Sequence, residues 1–230
     1  MTNTDYRLLI GGDKVEAADG YDVINPATEA LVGVAPNASV DQAAAACDAA
    51  RAAADSWART PMEERCALLA KVADVIDAHR DELVPLVQAE TGATMRVAKT
   101  MQVPQAAARF RRYAQVESNL VALPPAVMPS TALAPGGIIG GVEHRAPIGV
   151  VACLAAYNFP VTNMAGKMAP ALAMGNTLVV KPPVQDPLGV IRMAELFEEA
   201  GFPAGVVNVV SANTVEAAEA ITTHPRVDVI

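Results

Sequence analysis

The second part of the chain constrains the fold most, because from residue 149 onward continuous apolar runs alternate with segments of helical spacing. GVVACLAA (149–156) reads as a strand buried on both faces, 162–174 as a short helix, and 177–180 as another strand. Residues 188–200 read as a helix, with Asp186 as N-cap, Pro187 at the first helical position and Gly201 closing it. A strand over 206–210, a helix over 214–222 and the start of a fourth parallel strand at 227–230 follow. This pattern predicts an α/β fold with a doubly wound, Rossmann-like parallel sheet, which binds ligands at the carboxyl ends of its strands. The sheet reads as incomplete, with Val227, Val229 and Ile230 on an open edge, so further residues are expected beyond Ile230.

The first half has a different texture. Residues 6–35 carry short apolar runs broken by Gly11-Gly12-Asp13, Asp19-Gly20 and Asn25-Pro26, which predicts short strands and hairpins. Ser39 begins an alanine-rich helix as its N-cap, with Asp41 and Gln42 in the first turn. A second helix starts at Pro61, with Leu68, Leu69, Val72, Val75 and Ile76 on one stripe. A third covers about 81–90 and stops at Thr91-Gly92, and a fourth is expected from about 94 to 120 with a kink at Pro104. Residues 121–147, rich in proline and glycine, read as an extended excursion or hairpin, or equally as a surface linker.

Composition excludes several classes. With 52% apolar and 18% charged residues the 230-residue chain is globular, and its apolar runs are too short to span a membrane. A net charge of −8 argues against a general nucleic-acid surface. A phosphate-bearing ligand remains compatible, since a helix N-terminus and one or two lysines can meet its charge locally. The polar, acidic opening MTNTDYRLLIGGDKVEA lacks a secretory pattern, and Cys47, Cys66 and Cys153 have no CxxC spacing. A cytoplasmic protein with reduced thiols, no disulfide framework and no metal site is expected.

Neither GxGxxG nor GxxxxGK[ST] occurs, so the candidate chemistry rests on two strand ends. At the first, Ala155-Ala156-Tyr157-Asn158-Phe159-Pro160, the Asn158 carboxamide has two readings: a donor to an oxygen that gains charge during reaction, or a turn residue serving local backbone. At the second, Val180-Lys181-Pro182-Pro183, Lys181 is either a donor to ribose hydroxyls or phosphate, or a solvated lysine at a loop mouth.

Ordered motifs now bear on both. Asn25-Pro26-Ala27-Thr28, Glu64-Arg65, Pro147-Ile148-Gly149-Val150-Val151, Tyr157-Asn158-Phe159-Pro160, Lys167, Gly175-Asn176-Thr177, Val179-Val180-Lys181-Pro182 and residues 199–210 (EAGFPAGVVNVV) together resemble the aldehyde dehydrogenase superfamily over essentially the whole chain. The resemblance implies oxidation of a small-molecule aldehyde to an acid with NAD or NADP. In that chemistry a cysteine thiolate forms a thiohemiacetal, whose oxyanion Asn158 and a backbone N–H stabilise, and a glutamate activates water. It also implies that Leu154, Ala155, Ala156 and Tyr157 lie along the cofactor and that Lys181 reaches the adenosine ribose. Residues 1–120 and 148–230 would form a discontinuous NAD(P)-binding domain, with 121–147 as the oligomerisation hairpin of a homo-oligomer.

Some positions depart from the family pattern. Tyr157 replaces the usual tryptophan, and Val184 stands where a ribose-binding glutamate favours NAD, which leaves NADP admissible. Residues 211–216 lack the usual glycines. The glycine-serine motif, the glutamate base and the nucleophilic cysteine would all fall past Ile230, so the catalytic domain is expected to be absent and the chain inactive alone. Two alternatives stay open: a nucleotide-binding or oligomer-forming protein without dehydrogenase activity, and a CoA-acylating or semialdehyde-reducing relative.

Overall fold

The computed structural model describes residues 5–117 and 120–230. Four short strands open the chain: β1 (Leu8–Ile10), β2 (Asp13–Val15), β3 (Asp19–Ile24) and β4 (Leu31–Asn37). Helix α1 (Val40–Arg59) begins where its cap dictates: the Ser39 hydroxyl accepts from the Gln42 N–H while the Gln42 side chain accepts from the Ser39 N–H. Helices α2 (Met62–Ala78) and α3 (Arg80–Thr91) follow, and Gly92 ends α3 in the left-handed region at φ 66°.

The fourth expected helix departs from its predicted form. It is a single turn, α4 (Met95–Val97), then a π-helical turn over Ala98–Gln102, then α5 (Val103–Tyr113). The irregularity precedes Pro104, which sits in the first turn of α5 where its missing N–H costs nothing. The helix also ends well short of 120: Leu120 already opens a strand, and residues 118–119 lie outside the described residues. That strand, β5 (Leu120–Met128), pairs antiparallel with β6 (Gly137–His144) in a hairpin exposed along both strands.

The remaining elements alternate: β7 (Val150–Leu154), α6 (Pro160–Ala173), β8 (Thr177–Lys181), α7 (Leu188–Ala200), β9 (Val207–Val209) and α8 (Val215–Thr222). The central sheet runs β2-β1-β9-β8-β7, with β7, β8 and β9 parallel. Beyond the predicted parallel set, β1 adds antiparallel to β9, so the N-terminal hairpin finishes one edge. At the other edge Val229 bridges Val151 in parallel, and the Ala152 N–H donates to the Val229 carbonyl at 2.8 Å.

Alternate strand residues face opposite layers. Leu8, Val150, Ala152 and Val179 pack with α1 and α8, whereas Leu9, Cys153, Leu178, Val180 and Val209 pack with α6 and α7, behind which lie α2 and α5. Helices on both faces explain why the strands are apolar throughout rather than alternating.

Asn176, in the turn before β8, fixes the start of β7. Its Oδ1 accepts from the N–H groups of Ile148 (2.7 Å) and Gly149 (3.0 Å), and its Nδ2 donates to the Ala171 carbonyl (3.1 Å). Gly149 is obligatory here: its φ is 133°, and a Cβ would collide with the Asp228 carboxylate that accepts from the Val150 N–H. Replacing Asn176 with alanine strands two N–H groups and should cost about 2–3 kcal/mol. The expected outcome is a lower urea midpoint at unchanged m-value.

Candidate active site

The parallel register sets Leu154, the last residue of β7, opposite Lys181, the last of β8. Both expected strand ends therefore open on the same edge of the sheet. Beyond Leu154 the chain turns through half-buried Ala155 and exposed Ala156, Tyr157 and Asn158 into α6, with Pro160 at the first helical position. The first-turn amides of α6 have no side-chain cap, so the positive end of that helix adjoins Asn158.

Asn158 is oriented by a residue the sequence reading did not single out. The Asn163 side-chain amide donates to the Asn158 Oδ1 at 3.3 Å, which leaves the Asn158 NH₂ without a partner among the described residues. A donor group held at its far end is what stabilisation of a developing oxyanion requires. Thr162, also missed, anchors the same turn: its hydroxyl contacts the carbonyls of Met101 (2.7 Å) and Gln102 (2.8 Å), clamping α6 to the π-helical turn. Its signal is faint, since a threonine in a first helical turn fits a cap as well as a clamp.

Lys181 is 9% exposed, and burial lowers its ammonium pKa. Its Nζ donates to the Pro182 carbonyl at 3.3 Å, leaving two of its three donors for a ligand. Oxygen-rich groups such as ribose hydroxyls or a phosphate suit such a donor.

The loop after Lys181 revises another expectation. Asp186 does not cap α7: Pro187 is the capping residue, and the free amides at the helix start are taken by Glu90 from α3. The Glu90 carboxylate accepts from the N–H of Leu188 (2.7 Å) and of Gly189 (2.8 Å). Burial pushes the Glu90 carboxyl well above the usual carboxylate range, the Asp186 charge adds to that, and the two amides oppose it. Asp186, 2% exposed, has its Oδ1 buried without a partner among the described residues, and burial raises its pKa to about 7.

All three thiols are buried. Burial raises Cys47 to about 11 and Cys153 to about 12, and raises Cys66 as well, so none is poised as a nucleophile. Among the described residues no cluster of three metal-ligating side chains occurs, and no helix is long and apolar enough to cross a membrane.

The chain as a whole is similar to known proteins. Residues 14–230 fit the aldehyde dehydrogenase family. The chain belongs to that family. It is 37% identical over 226 residues to a phenylacetaldehyde dehydrogenase of Pseudomonas fluorescens, covering 96% of this chain and 45% of that protein. It is 35% identical to the NADP/NAD-dependent aldehyde dehydrogenase PuuC of Escherichia coli (strain K12), covering 97% and 44%. Among solved structures, betaine aldehyde dehydrogenase from Staphylococcus aureus in complex with NAD+ superposes with a TM-score of 0.87 at 30% identity, covering 97% of this chain and 44% of that one. This aldehyde dehydrogenase chain thus spans a little under half the length of these relatives.

The folded Asp186 carboxyl holds its proton up to about pH 7, whereas its ordinary value is 3.8. The Asp186 contribution to stability should therefore fall as pH rises between those values, by at most roughly 4 kcal/mol, and level off above. Asp186→Asn should make the slope shallower in urea titrations run from pH 4 to 8, leaving the part that Glu90 contributes.

Proposed function

We propose that this chain supplies the cofactor-binding face and an oxyanion donor for an NAD(P)-dependent aldehyde dehydrogenase, which oxidises an aldehyde to a carboxylic acid through a thiohemiacetal. The observation that carries the reading is the Asn158 carboxamide, held by Asn163 at its oxygen and unspent at its NH₂, one strand away from Lys181. Aligned on the edge of a parallel sheet, the two residues divide the work. Asn158 donates to the substrate oxygen as it gains charge, together with a backbone N–H. Lys181 donates to ribose hydroxyls of the dinucleotide, and Leu154, Ala155, Ala156 and Tyr157 lie along it.

The residues present fit that cofactor. Lys181 brings a desolvated cation with spare donors, and the alanines at 155 and 156 keep side-chain bulk away from the strand end. When bound, the nicotinamide accepts the hydride that leaves the substrate carbon. Val184, 37% exposed, places no carboxylate near the ribose, so NADP as well as NAD is admitted. The NAD+-bound and NADP/NAD-dependent relatives support both.

The nucleophile and the base would come from outside these residues, since the three thiols are buried and held protonated. The exposed hairpin of β5 and β6 is proposed as the surface through which copies associate, and 1–120 with 148–230 as the discontinuous cofactor domain. Three reduced thiols suit the cytoplasm.

Calorimetric titration of the chain with NAD+ and NADP+ should give saturable binding by both. Lys181→Ala should weaken it about tenfold, while Asn158→Ala leaves it unchanged. Incubation with NAD+ and an aldehyde should give no NADH. Failure of both nucleotides to bind would overturn the cofactor assignment, and turnover would overturn the assignment of the nucleophile elsewhere.

A further inference from the structure

Helix α6 carries Asn163, which holds Asn158, and one turn further on it carries Gly166, against which α5 sets a cation. Gly166 stands one helical turn beyond Asn163 on the same face of α6, about 5–6 Å away. Because Gly166 has no side chain, the Arg109 guanidinium of α5 lies in the space a Cβ would fill; one built there collides with its Nη1. Arg109 is exposed and has no carboxylate partner among the described residues, whereas Arg111, two positions on, is paired with Asp74 and Asp77. Gln105, exposed one turn before Arg109, adds a polar side chain on the same side of α5. The order along α6 is thus the Asn158 NH₂, the Asn163 amide, then a planar cation at roughly one further turn.

We propose that Arg109 is a specificity-determining residue that receives an anionic group, a carboxylate, at the far end of the substrate, so that the aldehyde taken is a short aldehyde-acid. The inference rests on the reading of Asn158 as the donor to the aldehyde oxygen. A guanidinium presents a fork of N–H donors that matches a carboxylate in two parallel hydrogen bonds, which a lone amide cannot do. In a chain of negative net charge, such a local cation favours the approach of an anion to this end of the site. Gly166 makes the placement possible, because a Cβ there would displace the guanidinium from its seat on α6.

Titration of the ¹⁵N-labelled 230-residue chain with succinic semialdehyde and with butanal tests this, followed at the Asn158 side-chain amide and the Arg109 Nε–H. Succinic semialdehyde should move both signals and bind at least about tenfold more tightly than butanal. Arg109→Gln should reduce it to the affinity of butanal, Arg109→Lys should keep part of the gain, and Gly166→Ala should lose it while leaving the fold intact. Equal affinity for the two aldehydes, or wild-type affinity in Arg109→Gln, overturns the role of Arg109 while Asn158 still responds to both. If Asn158 stays unmoved with either aldehyde, the reading beneath it fails and the proposal falls with it.

Discussion

Every candidate ligand contact in this chain hangs from the pairing of β7 with β8. Parallel pairing in the observed register brings Leu154 and Lys181 to one edge, and a slip of one residue would turn Lys181 towards the opposite layer of helices. Pattern alone holds such a register weakly, because strands buried on both faces offer apolar side chains in either alignment. The Asn176 carboxamide removes the ambiguity by binding two amides at the start of β7 from the turn that starts β8. Asp228 repeats the device from the other side of β7, with its carboxylate on the Val150 N–H and on Arg51.

Much of this was legible in the residues, and the reasons are local. The Ser39 and Gln42 cap, the stop at Gly92 and the apolar strands 150–154 and 177–181 each carry their signal within a few positions. Interactions that span the chain carry none. Asp186 before Pro187 has the form of a cap, yet the partner that fills the role is Glu90, 98 residues before the Leu188 amide it accepts from. Residues 6–35 read only as short strands and hairpins, and the contact of Leu9 with Val209 is what makes the first of them part of the main sheet. Helical spacing does not distinguish α from π turns, so the π turn over Ala98–Gln102 leaves no mark in the residues.

The candidate site shows the same division. Lys181 stands out as the end of an apolar strand beside Pro182, and Asn158 as a polar residue in the turn that follows another, two positions before Pro160. Asn163 and Thr162, which hold the turn in place, are ordinary polar residues on a helix until the fold sets Asn163 against Asn158 and Thr162 against the carbonyls of Met101 and Gln102. Orientation of a donor is a property of its neighbours, so the residue that reacts is easier to read than the residue that aims it.

The Glu90 carboxylate bears on how the molecule moves. Its two hydrogen bonds span α3 and α7, and Gly189 lets the helices approach so closely that a Cβ would touch the Glu90 oxygen at 2.6 Å. The first amides of α7 cannot reach water without α3 moving away, and a separated Glu90 would leave those amides bare. Helices far apart in sequence therefore open as one cooperative unit, and the loop between Lys181 and α7 is tethered at both ends, shielded from the local breathing that loops of its length ordinarily undergo.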